Sequence, residues 1–249
     1  MNLPSLPLLT EREPAELLVH DGEEACSYLP DRSARLPLRL PVRRLSGAEL
    51  DARLFEGDRR HGMLLYRPTC EACHACEAIR LDVDAYRFSK TQRRILRKND
   101  QRLRIEVGPA RADPKAVALY DKHRYGRGLD SARSKPMDVV SYERFLVERC
   151  CQSYEMRFFL GDEVVAIAIV DEGAAALSAV YCHHDPEHAS MSLGTYAILK
   201  QIEAARHDGK RFLYLGLYVS GCGPMEYKAR FRPHERLIDE RWTRFEKQA

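Results

Sequence analysis

The stretch Tyr66–Asn99, YRPTCEACHACEAIRLDVDAYRFSKTQRRILRKN, combines a cysteine loop, a hydrophobic segment and a basic segment in immediate succession. A short apolar run bounded by turn signals is typical of a buried strand, so Ile79–Val83 is predicted to be a β-strand. The basic segment that follows has the spacing of a helix. Cysteine chemistry and polyanion binding are therefore expected about one structural element apart.

The basic segment Ser89–Asn99 is predicted to form an amphipathic helix. Ser89 and Gln92 have the spacing of a capping box, which sets the start of the helix at Ser89. On a 3.6-residue period the cations fall on one arc of roughly 140°, and Ile95 and Leu96 face the other way. Such a face is either simply solvated or paired with phosphates, because like charges on one arc repel each other. We predict phosphate binding by Ser89, Lys90, Gln92, Arg93, Arg94, Arg97 and Lys98.

The cysteine loop has the spacing C-x2-C-x2-C, with Cys70, Cys73 and Cys76. Three thiols on a tight loop could ligate Zn²⁺ or hold part of an iron–sulfur cluster, but a complete site needs a fourth ligand. Cys26 and His74 are the candidates for that ligand. The alternative is that the cysteines are reduced, partly buried and free of metal.

Composition sets wider limits. The chain has 249 residues, of which 31% are charged, and its formal net charge of +3 would not by itself indicate nucleic-acid binding. The first twenty residues are interrupted by prolines and lack a positive leader, so they predict neither a secretory signal nor a membrane span. We therefore expect a cytoplasmic protein, in which eight cysteines favour metal binding or reduced thiols over disulfides.

The remaining elements follow from hydrophobic periodicity and turn residues. Ser33–Val42 is predicted as a strand interrupted by Pro37, and Ser46 as the cap of a helix Gly47–Phe55 with Glu49 at its third position. A helix is predicted over Val139–Cys151. Two further strands, a helix and another strand are predicted in order at Val164–Asp171, Ala175–Tyr181, Leu193–His207 and Arg211–Tyr218.

The loop before Leu193–His207 is rich in small residues, among them Ser190, Ser192 and Gly194. Small residues at a helix start leave backbone N–H groups free to face a phosphate or a developing negative charge. The order strand, loop, helix, strand over Ala175–Tyr218 resembles the donor-binding core of the GNAT acyltransferase fold.

Five motifs carry a family resemblance: CSYLPDRSAR at 26–35, YRPTCEACHAC at 66–76, SKTQRR at 89–94, LSAVYCHHDPEHASMSLGTYAIL at 177–199 and YLGLYVSGCGPMEYKARFRP at 214–233. Together they span most of the chain, and they resemble the bacterial aminoacyl-tRNA–protein transferases. The resemblance is to the aspartate/glutamate leucyltransferase branch, which is related to the eukaryotic arginyltransferases.

This resemblance implies an α+β protein with a small cysteine-containing α+β domain at residues 1–105 and a GNAT-like transferase domain at residues 106–249. It implies transfer of leucine from leucyl-tRNA to the α-amine of proteins beginning with Asp or Glu, a step of the N-degron pathway of protein degradation. The expected partners are charged tRNA and protein N-termini, and neither DNA nor a membrane. An aminoacyl ester is already activated, so no cofactor is required for the transfer.

The resemblance also implies roles for residues of the second half. The base that accepts the proton of the α-amine is expected among Tyr181, His183, His184 and Asp185, and we take Tyr181, His184 and Asp185 as catalytic. Ser192, Gly194 and Thr195 are expected to hold the 3′ end of the donor and the oxyanion. Tyr227, Lys228 and Arg230, followed by Arg232, are expected to bind the acidic acceptor.

Three other functions remain open at this point. An arginyl-tRNA–protein transferase would share most of the motifs. A coenzyme-A-dependent N-acetyltransferase would use the same C-terminal fold but would not need the basic helix. A non-enzymatic zinc-ribbon RNA-binding module would explain Tyr66–Asn99 and leave the acyltransferase-like pattern without a use.

Overall fold

The protein was analysed as a computed structural model that describes residues 9–129 and 135–246. Its strands are β1 Glu16–His20, β2 Glu23–Ala25, β3 Ser33–Arg35, β4 Leu38–Pro41, β5 Arg59–His61, β6 Leu64–Tyr66, β7 Cys76–Asp82, β8 Leu103–Gly108, β9 Ser153–Leu160, β10 Glu163–Glu172, β11 Ala176–His184, β12 Phe212–Val219, β13 His234–Ile238 and β14 Arg241–Phe245. Its α-helices are α1 Gly47–Phe55, α2 Lys90–Asp100, α3 Pro114–Gly126, α4 Val139–Tyr142, α5 Leu193–His207 and α6 Gly223–Glu226. A π-helical turn covers Glu143–Val147, and 3-10 helices cover Pro186–Met191 and Tyr227–Arg230.

An eight-stranded mixed sheet is the centre of the fold, with strand order β14-β13-β7-β12-β11-β10-β9-β8. The predicted α+β class is confirmed. Strand β7 follows the cysteine loop, yet it pairs with β12 and β13 from the other end of the chain. A four-stranded sheet, β1-β4-β6-β5, and the hairpin β2-β3 lie outside the central sheet. The central sheet thus includes strands from both sides of residue 105, and the division into two domains there stays a prediction.

The pair β11 and β12 is parallel, whereas the other paired strands of this sheet are antiparallel. Pairing joins Ala176, Leu177 and Ser178 to Phe212, Leu213 and Tyr214, and it goes no further. Both strands continue, to His184 and Val219. The register of β12 against β7 also shifts between Tyr214 and Gly216, which is typical of a β-bulge. The C-terminal halves of β11 and β12 are therefore not joined to each other.

Alternate residues of β10 point to opposite faces of the sheet and belong to two different core clusters. Ala166 and Ala168 belong to a cluster that includes Tyr196 of α5 and Leu96 of α2. Ile167 and Ile169 belong to a second cluster, formed with α3 and with the segment around Tyr142. Because successive side chains of a strand point to opposite faces, the helices form one layer on each side of the sheet.

Several local predictions are confirmed. Ser46 caps α1 and Ser89 caps α2, each with the reciprocal bond of a capping box, through Glu49 and Gln92. Helix α5 has the predicted bounds.

Two local predictions are wrong. The helix predicted over Val139–Cys151 is α-helical only to Tyr142, and Glu148 is already extended after the π-helical turn. The carbonyl oxygen of Cys150 instead accepts a hydrogen bond from the N–H of Leu45, so tertiary pairing replaces the helical bonds there. The strand predicted over Ser33–Val42 is two strands, β3 and β4, which lie in different sheets on either side of Pro37.

Candidate active site

The basic face of α2 is exposed. Lys90, Arg93, Arg94, Arg97 and Lys98 are all open to solvent. The ion pairs between described residues include none of these five cations. Arg93 is partly engaged, since its Nη1 donates a hydrogen bond of 2.6 Å to the carbonyl oxygen of Phe88. The face therefore presents uncompensated positive charge, which favours a polyanion.

The C-terminal end of α2 is fixed to the segment that begins α5. Asn99 is fully buried, and its Nδ2 donates a hydrogen bond of 2.8 Å to the carbonyl oxygen of Met191. The next residue, Asp100, accepts a hydrogen bond of 2.7 Å from the hydroxyl of Tyr196. Two hydrogen bonds therefore join the end of the basic helix to the start of α5.

Helix α5 begins without a side-chain cap. Ser192 occupies the N-cap position in the left-handed conformation, with φ 53° and ψ 46°, and makes no side-chain cap bond. The first intrahelical bond runs from the N–H of Tyr196 to the carbonyl oxygen of Ser192. The N–H groups of Leu193, Gly194 and Thr195 precede it and have no partner within the helix. Such a terminus attracts anions.

His184 lies beside this helix start. A Cβ atom added to Gly194 would lie 3.4 Å from Nε2 of His184, so the glycine leaves room for the imidazole ring. Nδ1 of His123 of α3 lies 3.0 Å from the carbonyl oxygen and 3.2 Å from the backbone nitrogen of His184, so it donates to the first or accepts from the second, according to its tautomer, and holds this backbone in place. Burial lowers the pKa of His184 below its usual range. A neutral imidazole at this position can accept a proton.

The two other residues predicted as catalytic have structural contacts. Tyr181 packs against Tyr120 and Phe145, and burial raises its pKa. Asp185 is buried, accepts a bond of 2.7 Å from Nζ of Lys122 and caps the 3-10 helix at its start. Burial raises the pKa of Asp185, but the hydrogen bond from Lys122 and the other contacts outweigh burial, and the net shift is downward. The carboxylate is thus already engaged.

His183 is fully buried on the opposite face of β11 from His184. Its Nε2 lies 3.3 Å from the hydroxyl of Tyr142, and its Nδ1 has no partner among the described residues. Burial lowers the pKa of His183 to about 3. This histidine is therefore neutral in the folded protein.

The three residues predicted to bind the acceptor differ in exposure. Tyr227 and Arg230 are exposed, whereas Lys228 is only 8% exposed. Nζ of Lys228 donates a hydrogen bond of 2.7 Å to the carbonyl oxygen of Leu217. Burial, and then the positive charge of Arg59, lowers the pKa of Lys228 to about 7. Arg59 and His123 are the site residues that the sequence patterns did not indicate, since a single cation or histidine within an element gives no periodic signal.

The four predicted metal ligands line one cavity of about 330 Å³, together with Tyr28 and Tyr66. The N–H of Leu29 donates to Sγ of Cys26 and the N–H of Arg35 donates to Sγ of Cys70, each over 3.4 Å. Burial and the neighbouring thiols raise the pKa of Cys76 to about 12. Cys26 belongs to the cavity, whereas His74 does not line it. Within residues 9–129 and 135–246, however, no three His, Cys, Asp or Glu side chains are arranged so that they could hold a metal ion. The bound metal stays a prediction.

Among the described residues, no helix is long and apolar enough to cross a membrane.

Two family models match the chain. The model described as arginine-tRNA-protein transferase, N terminus, matches residues 24–94, and the one described as arginine-tRNA-protein transferase, C terminus, matches residues 115–238. The matches cover the cysteine loop, the start of α2 and the residues predicted for catalysis, for the 3′ end of the donor and for the acceptor, whereas Arg97 and Lys98 lie between the two matched ranges. The chain is therefore a transferase enzyme of the aminoacyl-tRNA–protein transferase class.

Curated relatives narrow the class. An aspartate/glutamate leucyltransferase of Chromobacterium violaceum is 35% identical over 217 residues, which is 87% of this chain and 89% of that protein. One of Stenotrophomonas maltophilia is 37% identical over 247 residues, 95% of this chain and 96% of that protein. The chain belongs to the aspartate/glutamate leucyltransferase family.

Solved structures are more distant. L-PGS from Bacillus licheniformis matches with a TM-score of 0.48 and 11% identity, over 68% of this chain and 58% of that one. FemX matches with a TM-score of 0.43 and 8% identity, over 74% of this chain and 63% of that one. The matched regions are less than two thirds of those chains.

Proposed function

We propose that this chain transfers leucine from leucyl-tRNA to the α-amine of proteins that begin with Asp or Glu. The observation that carries the proposal is the exposed cationic face of α2, which has no ion pair with the part of the chain that the structure describes and is joined through Asn99 to the start of α5. A tRNA bound by its phosphates to Lys90, Arg93, Arg94, Arg97 and Lys98 would have a nearby helix terminus for its aminoacyl end. The names of the curated relatives support leucine as the donor and Asp or Glu as the acceptor.

We propose that residues 106–249 form a GNAT-like transferase domain and residues 1–105 a smaller cysteine-containing domain. The order β11, α5, β12 and the early separation of the parallel pair support the GNAT-like assignment. Two strands that are no longer hydrogen-bonded to each other leave backbone groups and space that a bound substrate can use. The opening between β11 and β12 is accordingly the proposed place of the transfer.

The donor end is assigned to the start of α5. The N–H groups near Ser192, Gly194 and Thr195 would face the 3′ end of the tRNA and the oxyanion that forms when the ester carbonyl is attacked. The charge that develops on this oxygen is the part of the transition state that fixed donors stabilise best. The leaving group is the 3′ hydroxyl of the tRNA.

His184 is assigned as the general base that accepts the proton of the attacking amine. An α-amine has a pKa of about 7.7 to 8.0, so a weak base suffices. His184 is neutral, borders Gly194 and is held in place by His123, which supports this assignment. Tyr181 and Asp185 belong to the same region, and their contacts favour a positioning role, Asp185 through the loop that precedes α5.

The acceptor is assigned to Tyr227, Lys228 and Arg230. Lys228 is the buried cation of this group, and its ammonium would meet the acidic side chain of the acceptor. Exposed Tyr227 and Arg230 would contact the following residues of the acceptor protein.

The test is transfer of labelled leucine and of labelled arginine from charged tRNA to peptides that begin with Asp, Glu, Lys or Arg. Transfer of leucine to the Asp and Glu peptides only is the expected result. Transfer of arginine instead of leucine to the same peptides would identify the chain as an arginyl-tRNA–protein transferase, the alternative function. Tight binding of acetyl-coenzyme A without tRNA-dependent transfer would overturn the proposal in favour of an N-acetyltransferase.

We propose a structural metal, Zn²⁺ or an iron–sulfur cluster, at Cys26, Cys70, Cys73 and Cys76. Their common cavity and the two N–H groups that point to sulfur support it, since such bonds stabilise thiolates. No side-chain group in the described residues has ligating geometry, so binding would require the loop to close. Metal analysis of anaerobically purified protein tests this: a stoichiometric metal that Cys73→Ser removes is expected, and metal-free wild-type protein would contradict it.

A further inference from the structure

Arg59 is a buried cation inserted beside β11. It belongs to β5 and is 7% exposed. Its Nη1 donates to Oγ of Ser178 over 3.3 Å, and its Nη2 donates to the carbonyl oxygen of Ala179 over 3.0 Å. Ser178 is the last residue of β11 that pairs with β12. The guanidinium therefore lies where the two parallel strands separate.

Lys228 approaches the same place from the 3-10 helix Tyr227–Arg230. Its Nζ donates to the carbonyl oxygen of Leu217 over 2.7 Å and lies 3.5 Å from Sδ of Met225. A Cβ atom added to Gly216 would lie 3.0 Å from Nη2 of Arg59 and 3.5 Å from Nζ of Lys228. The two cations thus meet beside the backbone of Gly216, where the absence of a side chain lets the guanidinium of Arg59 approach closely.

Neither cation has an acidic partner within residues 9–129 and 135–246. The ion pairs between described residues include no contact of Arg59 or Lys228 with a carboxylate. Other buried arginines of the structure do have one: the adjacent Arg60 pairs with Asp171 over 2.8 Å, and Arg39 pairs with Asp58 over 2.7 Å. Burying a charge without a counter-charge is costly, and two like charges that border one volume raise that cost further. Such an arrangement is stabilised by an anion.

We infer that Arg59 and Lys228 together bind the side-chain carboxylate of the first residue of the acceptor protein. The inference rests on the proposed function and adds Arg59 as a specificity-determining residue. A planar guanidinium and an ammonium on either side of a carboxylate satisfy both of its oxygens. The two cations are close enough together to contact one carboxylate, and their burial distinguishes them from the exposed cations of α2 that are assigned to tRNA phosphates.

The same site would discriminate against neutral acceptors. Asn and Gln have the shape of Asp and Glu but bring an amide N–H₂ and no charge, so both buried cations would stay uncompensated. The enzyme should therefore distinguish Asp from Asn and Glu from Gln through Arg59 and Lys228.

The test compares Arg59→Gln and Lys228→Met with the wild-type enzyme, using peptides that begin with Asp, Asn, Glu or Gln. Each substitution is expected to lower kcat/KM for the Asp and Glu peptides by about 10- to 100-fold, mostly through KM, and not to lower it for the Asn and Gln peptides. Leucyl-tRNA affinity should not change. Arg59→Lys, which keeps the charge, should recover part of the loss, and Arg241→Gln, an exposed cation of β14, should have no effect.

Equal losses for all four peptides, or no loss in either variant, would overturn the inference. A second measurement does not depend on turnover: an Asp-initiated peptide should raise the Tm of the wild-type protein more than an Asn-initiated peptide does. That difference should disappear in Lys228→Met, and its persistence would also overturn the inference. Failure of the proposed function looks different, because wild-type enzyme would then transfer no leucine to any peptide.

Discussion

Asn99 at the end of α2 donates a buried hydrogen bond of 2.8 Å to the carbonyl oxygen of Met191, just before α5. This contact joins the helix that is assigned to tRNA phosphates to the helix terminus that is assigned to the aminoacyl end. The two sites would therefore keep a fixed separation, which is what positioning of a tethered donor requires.

Asn99→Ala should lower the free energy of unfolding by about 1 to 3 kcal/mol, because it leaves a buried carbonyl oxygen without its donor. It should also raise KM for leucyl-tRNA, since the two sites lose their common support. Urea unfolding and transfer kinetics measure the two effects. Gln101→Ala, an exposed change two residues away, is the control and should alter stability by less than about 0.5 kcal/mol. An unchanged KM for leucyl-tRNA in Asn99→Ala would show that the hydrogen bond from Asn99 to Met191 does not support tRNA binding.

Replacing Arg94 and Arg97 together by Gln should weaken tRNA binding and reduce its dependence on salt. Each phosphate contact contributes about 0.7 to 0.9 to the slope of log K against log salt, so the double variant should lose about 1.4 to 1.8 of that slope. Filter binding of tRNA between low and moderate salt gives the slope. Arg241→Gln should leave it unchanged. A double variant with the wild-type slope would remove α2 from the tRNA site.

These sites were predictable to different degrees from the sequence. The capping boxes at Ser46 and Ser89 and the cationic arc of α2 are local patterns, and local patterns survive folding when tertiary contacts agree with them. The helix predicted through Cys151 was wrong because the carbonyl oxygen of Cys150 accepts a hydrogen bond from the N–H of Leu45, a long-range contact with no local signal.

The proximity of Arg59 and Lys228 could not be predicted from the sequence for the same reason. The residues are far apart in the chain, and in the sequence each looks like an ordinary exposed Arg or Lys. What distinguishes them is their burial, the absence of a carboxylate partner among the described residues and their approach to Gly216. These features depend on the pairing of β5, β11 and β12. Strands β1 and β8 were also not predicted, since charged and proline-rich surroundings hide their short apolar runs.

Gly194→Ala should lower kcat while leaving the fold intact. The new Cβ would lie 3.4 Å from Nε2 of His184, at the limit of an ordinary van der Waals contact, so it would restrict the movement of the imidazole. Alanine favours helix over glycine, so stability should not fall by more than about 1 kcal/mol. Single-turnover transfer with saturating leucyl-tRNA measures the chemical step. Gly108→Ala in β8, where an added Cβ meets nothing within 4 Å, is the matched control. Equal kcat in both variants would argue against a catalytic His184.

The free energy of unfolding should fall in acid because His183 is buried in its neutral form. Burial lowers its pKa to about 3, while an unfolded histidine has a pKa of about 6.5. Between these two values the unfolded chain binds a proton that the folded protein does not, so the free energy of unfolding falls as the pH falls. One histidine contributes at most about 1.4 kcal/mol per pH unit in this window, and His123 and His234, whose pKa burial lowers to about 4, add to the effect.

In His183→Phe the loss of stability between pH 6.5 and pH 4.5 should be smaller than in the wild type, whatever the absolute stability of the variant. His207→Phe removes an imidazole that is 88% exposed and should keep the wild-type pH dependence. Urea unfolding at several pH values gives the slopes, and a wild-type slope in His183→Phe would show that the buried imidazole does not resist protonation.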